Sequence, residues 1–148
     1  MARFSGAWKT AGAGTTSLPM GSLYAVAGVR PRVREVGVFN TTASAFDVAL
    51  RRATTLGGTH AGAASAELYE DDSASTALAV LIDTDTGTAP TLTSGNLRVA
   101  SLGAAIGSGV IWTFGGNGLV IPDGTANGVC IIGLASPQIC TVSFTWDE

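Results

Sequence analysis

The side chains able to do chemistry are few and scattered. The 148 residues hold one histidine, two cysteines and one lysine. Asp83, Asp85 and Gly87 have the spacing that opens a calcium loop, with carboxylates at alternate positions. Such a loop also needs a third oxygen at its fifth position and a bidentate Glu downstream. Residues 86–96 contain no acid, so the loop is incomplete. A second acidic group, Glu67, Glu70, Asp71 and Asp72, reads as a solvated loop. His60 sits in Gly58-Thr59-His60-Ala61-Gly62 with no Asp, Cys or second His close in sequence. A Ser or Cys nucleophile then lacks a partnered base, and His60 reads as a surface-loop residue. The expectation is no enzyme activity, no metal and no cofactor.

Asp85-Thr86-Gly87 resembles the Asp-Thr-Gly loop of aspartic proteases, and Ile131-Ile132-Gly133 resembles their second apolar-apolar-Gly element. That chemistry needs two chains, because two carboxylates must share one proton. Thr84 stands where the family has an apolar residue. Asp, Thr and Gly are also the ordinary residues of turns, and the expected place of Asp85 is a surface turn.

The strongest charge cluster is basic. Arg30, Arg32 and Arg34 project to one side of an extended chain, and Arg51 and Arg52 lie on an expected neighbouring strand. A solvated strand face explains them; so does an ion-pairing surface for an acidic protein partner, which suits the rigid guanidinium fork. Phe4 and Trp8 stand out in a Gly-, Ala-, Ser- and Thr-rich N-terminal stretch. The expected partner-binding residues are Phe4, Trp8, Arg30, Arg32 and Arg34.

What must position these residues follows from composition. Charged residues are 13% of the chain, against about 25% in an average globular domain. Glycine, with 20 residues, and Ala, Thr and Ser take their place. Disorder goes with high charge and few β-branched residues, so this is a folding sequence. The net charge of −3 gives no basic footprint for nucleic acid. Val99–Pro122 is uncharged, but its seven residues Gly103, Gly107, Gly109, Gly115, Gly116, Asn117 and Gly118 suit strands and a turn better than a membrane span. No secretory signal is visible near Met1, and Asn40-Thr41-Thr42 reads as a turn rather than a glycosylation site. Cys130 and Cys140 could bridge across a hairpin centred near Ala135, but a turn at Ser136-Pro137 puts them on opposite faces, and two buried free thiols are the expectation.

Periodicity predicts an all-β fold of about eight strands with no amphipathic helix. Residues 1–28 read as an N-terminal arm and 29–148 as a single antiparallel β-sandwich domain. Phe46, Val48 and Leu50 alternate with polar or small residues. Asn117-Gly118 between apolar runs predicts a hairpin. Residues 129–134 and 139–146 predict a last hairpin, with Cys140, Val142, Phe144 and Trp146 facing in and Thr141, Ser143 and Thr145 facing out. The few anchors of the arm scarcely offset the cost of ordering, about 1–2 kcal/mol per residue, so the arm is expected to order on a partner. Leu56–Asp72 is expected as a loop. Between residues 99 and 146 Asp123 is the single charge. That half suits either a neutral Thr-rich face or a surface covered by copies of the chain.

Two stretches carry a resemblance. Val33-Arg34-Glu35-Val36-Gly37-Val38-Phe39-Asn40-Thr41-Thr42-Ala43, and Val110-Ile111-Trp112-Thr113-Phe114 leading to Gly118–Gly128, resemble tailed-bacteriophage virion proteins of the kind that decorate or cement a capsid. The resemblance implies a jelly-roll-like β-domain, a homotrimer, binding to the major capsid protein and a place on the virion surface after synthesis in the host cytoplasm. The leading expectation is therefore a non-enzymatic virion structural protein. The alternative is a ligand- or carbohydrate-binding module of a phage tail or fibre, with Trp8, Trp112 or Tyr69 stacking on sugars.

Overall fold

The computed structural model describes residues 1–61, 68–71 and 76–148. Among these residues there is no helix, and the strands form two antiparallel sheets. The strands are β1 (Arg3–Lys9), β2 (Gly21–Tyr24), β3 (Arg32–Asn40), β4 (Phe46–Ala53), β5 (Leu68–Tyr69), β6 (Val80–Ile82), β7 (Arg98–Leu102), β8 (Gly109–Thr113), β9 (Leu119–Val120), β10 (Gly128–Ala135) and β11 (Cys140–Asp147). The first sheet runs β5-β1-β11-β3-β8, with β9 also on β3; the second runs β6-β2-β10-β4-β7. The all-β sandwich expected from periodicity is the fold observed.

One core lies between the sheets. Phe4, Val36, Val38, Trp112, Val142, Phe144 and Trp146 come from the first sheet; Leu23, Val48, Leu50, Leu81, Val129 and Ile131 come from the second. Each such side chain contributes about 1.5–3 kcal/mol on burial. The alternation of β11 is as expected: Cys140, Val142, Phe144 and Trp146 are buried, and Thr141, Ser143 and Thr145 are half-buried. In β10, Gly128–Gly133 is buried on both faces, because a second apolar cluster of Tyr24, Ala53, Ile82 and Cys130 is covered by Leu92.

Several expectations need correction. The N-terminal stretch is not a detached arm. Arg3–Lys9 pairs with Asp147–Thr141 through the whole of β1, and β2 lies inside the second sheet beside β10. Its few apolar residues suffice because they meet a ready-made partner strand: the Phe4 and Trp146 rings stack at 5.8 Å and the Trp8 and Phe144 rings at 6.1 Å.

The last two strands are not a hairpin. β10 and β11 belong to different sheets, and residues 136–139 cross the sandwich between them. Ser136 takes a left-handed conformation (φ 45°) at the crossing. Cys130 and Cys140 are free and buried on different sheets, as two unbridged thiols.

Asn117-Gly118 does not make a hairpin either. β8 and β9 both pair with β3, along one edge of it. The turn closed by Gly118 N–H to Gly115 O (2.7 Å) loops out of the strand and returns to it. Gly118 has φ +65°, and a Cβ there would crowd the Val33 carbonyl at 2.9 Å.

Finally, β3 and β4 are not neighbours, so Arg51 and Arg52 do not extend the Arg30–Arg34 face. The expected 56–72 loop contains β5, which pairs with β1. Glu67 and Asp72 of the acidic group lie outside the described residues.

Candidate functional site

The arginine face carries a β-bulge at Arg34. Trp146 pairs with Val33 and Thr145 with Glu35, leaving Arg34 as the extra residue of β3. Arg32 and Arg34 stay on one face, with Val33 buried between them; the bulge breaks the alternation only beyond Arg34, where Glu35 is also exposed. Arg34 Nε donates to Asp147 Oδ2 at 2.6 Å, and its Nη1 donates to Gly116 O at 2.7 Å. Arg3 Nε donates to the other oxygen, Asp147 Oδ1, at 2.8 Å. Asp147 is thus clamped between two guanidinium groups. Burial pulls its carboxyl up, but the hydrogen bonds and charges of Arg3 and Arg34 outweigh burial and leave it below the usual carboxylate range. Arg34 is a structural clamp that also holds the 115–118 turn. Arg30 is exposed and Arg32 half-buried, and neither forms an ion pair among the described residues. Arg52 ties the two sheets, donating to Val120 O at 2.9 Å.

Of the two aromatic candidates, Phe4 is 1% exposed and belongs to the core. It cannot meet a partner while the domain is folded. Trp8 is half-buried against the core. Trp112 and Trp146 are buried too, so neither offers a flat face for a sugar. The side chain of Tyr69 lies outside those described.

The largest departure from expectation is at Asp85. It is not on a surface turn: it is 2% exposed. His60, expected alone, is its partner, with Nδ1 2.5 Å from Asp85 Oδ1. The backbones of these residues also form a bridge, and Ala61 N–H donates to Thr84 O at 2.7 Å. Burial raises the Asp85 carboxyl pKa, and the hydrogen bond and charge of His60 pull it back only in part. Asp85 Oδ2 is buried with no hydrogen-bond partner among the described residues. Glycine is required at 57, where a Cβ would overlap the Asp85 carboxylate. This pair staples the segment after β4 to the segment after β6. It has the orienting half of an acid–base arrangement, but Asp85 faces a histidine rather than the second carboxylate that proton sharing requires.

Asp83 is likewise structural. Its Oδ1 accepts Thr84 N–H at 2.6 Å and Ala11 N–H at 3.2 Å. Among the described residues no group of three or more His, Cys, Asp or Glu side chains is gathered as a metal site. Glu70 and Asp71 line a cleft of about 250 Å³ with Met1, Arg3 and Asp147. There Asp71 Oδ2 accepts the Arg3 N–H at 2.9 Å.

The surface most unlike an ordinary solvated one is the side where both sheets end, at β7 and β8. Ile111 is 54% exposed, Val99 52% and Ile106 76%. Arg98, set over the Phe114 ring at 5.1 Å, stands at its margin. Natural sheets blunt their edge strands with charge, proline or bulges, and Gly109-Val110-Ile111-Trp112-Thr113 carries none of these. Sequence reading registered the missing charge but not that it gathers on a sheet edge. It missed His60–Asp85 because the two residues meet only in three dimensions.

No family model, no curated protein and no solved structure matches the chain.

Proposed function

We propose that this chain is a non-enzymatic virion structural protein. It decorates a tailed-bacteriophage capsid, binding the major capsid protein as a homo-oligomer and stabilising the shell by bridging neighbouring capsomers. The number implied by the resemblance is three copies. The observation that carries the reading is spatial. The two stretches resembling phage head proteins, 33–43 and 110–128, are far apart in sequence but adjacent in the fold, because β8 and β9 both lie on β3. The resemblance therefore falls on one continuous β unit rather than on two unrelated strands. The strand order supports the jelly-roll part of the reading. Without the short strands β5, β6 and β9, the sheets run β1-β11-β3-β8 and β2-β10-β4-β7, two four-stranded sheets wound together as in a double Greek key.

A shell-stabilising role asks little of each copy. A standard interface of roughly 1,600 Å² is enough when it is repeated over a particle. The charge-poor β7–β8 side, with Arg98 at its margin, and Arg30 and Arg32, which form no ion pair among the described residues, are the surfaces available for such contacts. The test is co-sedimentation of the purified chain with capsids that lack it. Saturable binding and a higher particle melting temperature are expected; no binding would contradict the proposal.

A further inference from the structure

We propose that two copies of this chain pair edge to edge through β8, antiparallel across a two-fold axis centred on Ile111. The inference deepens the self-association part of the function proposed above and rests on it. It specifies one contact: a pairwise joint, through which copies or small assemblies of copies are linked.

β8 is the last strand of its sheet on this side, so among the described residues no strand hydrogen-bonds to its outer backbone edge, although β7 of the other sheet lies nearby. It spans Gly109–Thr113, which makes Ile111 its middle residue. An antiparallel pair centred there sets Ile111 opposite its own copy, Val110 opposite Trp112 and Gly109 opposite Thr113. Every position of the contact is neutral. Trp112 faces the core at 7% exposure, which turns its neighbour Ile111 to the outer face. On that face Ile111 lies beside Gly37 of β3, and the ring of Phe39 lies close over Gly109, leaving no room for a Cβ. Phe39 and Ile111 thus form one apolar strip on a face that also carries Thr141, Ser143 and Thr145, with the exposed Glu35 beside Thr113 at the end of β8 and Lys9 beside Thr141.

The occupant is argued from charge. β8 itself carries no charge, and the nearest on its outer face is Glu35, beside Thr113 at the strand's end, so an acidic partner would find no counter-charge and a basic one only this single carboxylate. A second copy presents the same neutral edge, so a two-fold pair buries no charge and opposes no like charges. Isologous contacts of this kind are the commonest form of self-association. Extending a sheet through its edge supplies main-chain hydrogen bonds, and the apolar strip adds burial.

The experiment is sedimentation of the full chain at high micromolar concentration, wild type beside Ile111→Lys, with thermal melting as a control for folding. A wild-type assembly is expected, and the variant should weaken it by about tenfold or more, since two lysines would face each other across the axis. Ile111→Cys is the second variant. Under copper–phenanthroline oxidation it should cross-link rapidly to twice the chain mass, while the wild type, whose two cysteines are buried, should not. A wild-type assembly that Ile111→Lys leaves intact would overturn the edge pairing and keep self-association. A wild-type monomer would overturn the pairing, with capsid binding still decided by co-sedimentation.

Discussion

Phe4 and Trp146 face each other across the β1–β11 ladder, with ring centroids 5.8 Å apart and planes 27° from parallel. The first strand of the chain is held there by the last. Both rings are fully buried, so the pair contributes dispersion and apolar burial together. Phe4→Ala should lower stability by about 3–5 kcal/mol. Chemical denaturation measures it, and a loss below about 1 kcal/mol would return Phe4 to the surface. Removing residues 1–10 should melt the isolated domain by many degrees, because it strips β1 from β11.

Asp85 sets a pH dependence of one sign. Its carboxyl pKa is raised by burial, with His60 opposing, so the folded chain holds that proton more tightly than the unfolded chain does. Its contribution is most favourable below the ordinary carboxylate value and is lost as pH rises through the raised value. Asp85→Asn should flatten that part of the stability profile. His60→Ala should cost about 1–3 kcal/mol near neutral pH by leaving the carboxylate without its hydrogen bond. Urea melts of the three proteins at several pH values provide the check; parallel profiles would contradict the buried assignment.

Asp147 works in the opposite direction. Burial raises its carboxyl, but Arg3 and Arg34 more than reverse that and the net pKa is lowered. Its stabilisation is present above the ordinary carboxylate value and is lost as pH falls through the lowered one. Asp147→Asn should therefore reduce stability at neutral pH and shrink the loss of stability seen as pH falls below the ordinary carboxylate value. Thermal midpoints across that range decide it: an unchanged acid slope would show that the clamp is energetically idle.

The thiols should be silent in the native protein. Burial pushes Cys130 up to about 11 and Cys140 up to about 12. At pH 8 the thiolate fraction is on the order of one thousandth or less, and neither sulfur is accessible. A thiol-reactive dye should label both only on unfolding. Rapid labelling of the folded chain would contradict the placement of Cys130 beneath the Tyr24 cluster.

These features differ in how far they can be read from residues alone. The period of two in Cys140–Trp146 encodes one buried and one half-buried face, and β11 has both. The same local signal says nothing about which sheet receives a strand. Ser136-Pro137 can turn a hairpin or cross a sandwich, and only packing decides. Gly115-Gly116-Asn117-Gly118 reverses the chain locally, yet the strand resumes on the same neighbour because β3 is long enough to pair with both pieces. The 1–28 stretch is poor in apolar residues on its own, but Phe4 and Trp8 fall opposite a strand rich in aromatic residues. His60 and Asp85 are 25 residues apart, beyond any local pattern, and Arg34 meets Asp147 only once β3 and β11 are paired.

The central claim is a place on a capsid. It is tested most directly by imaging, at side-chain resolution, particles recovered from the source of this chain. The account predicts two-sheet density on the outer shell in contact with the major capsid protein, with residues 3–9 in the sheet beside 141–147. Density for the chain at a tail or fibre, or its absence from the particle, would contradict it.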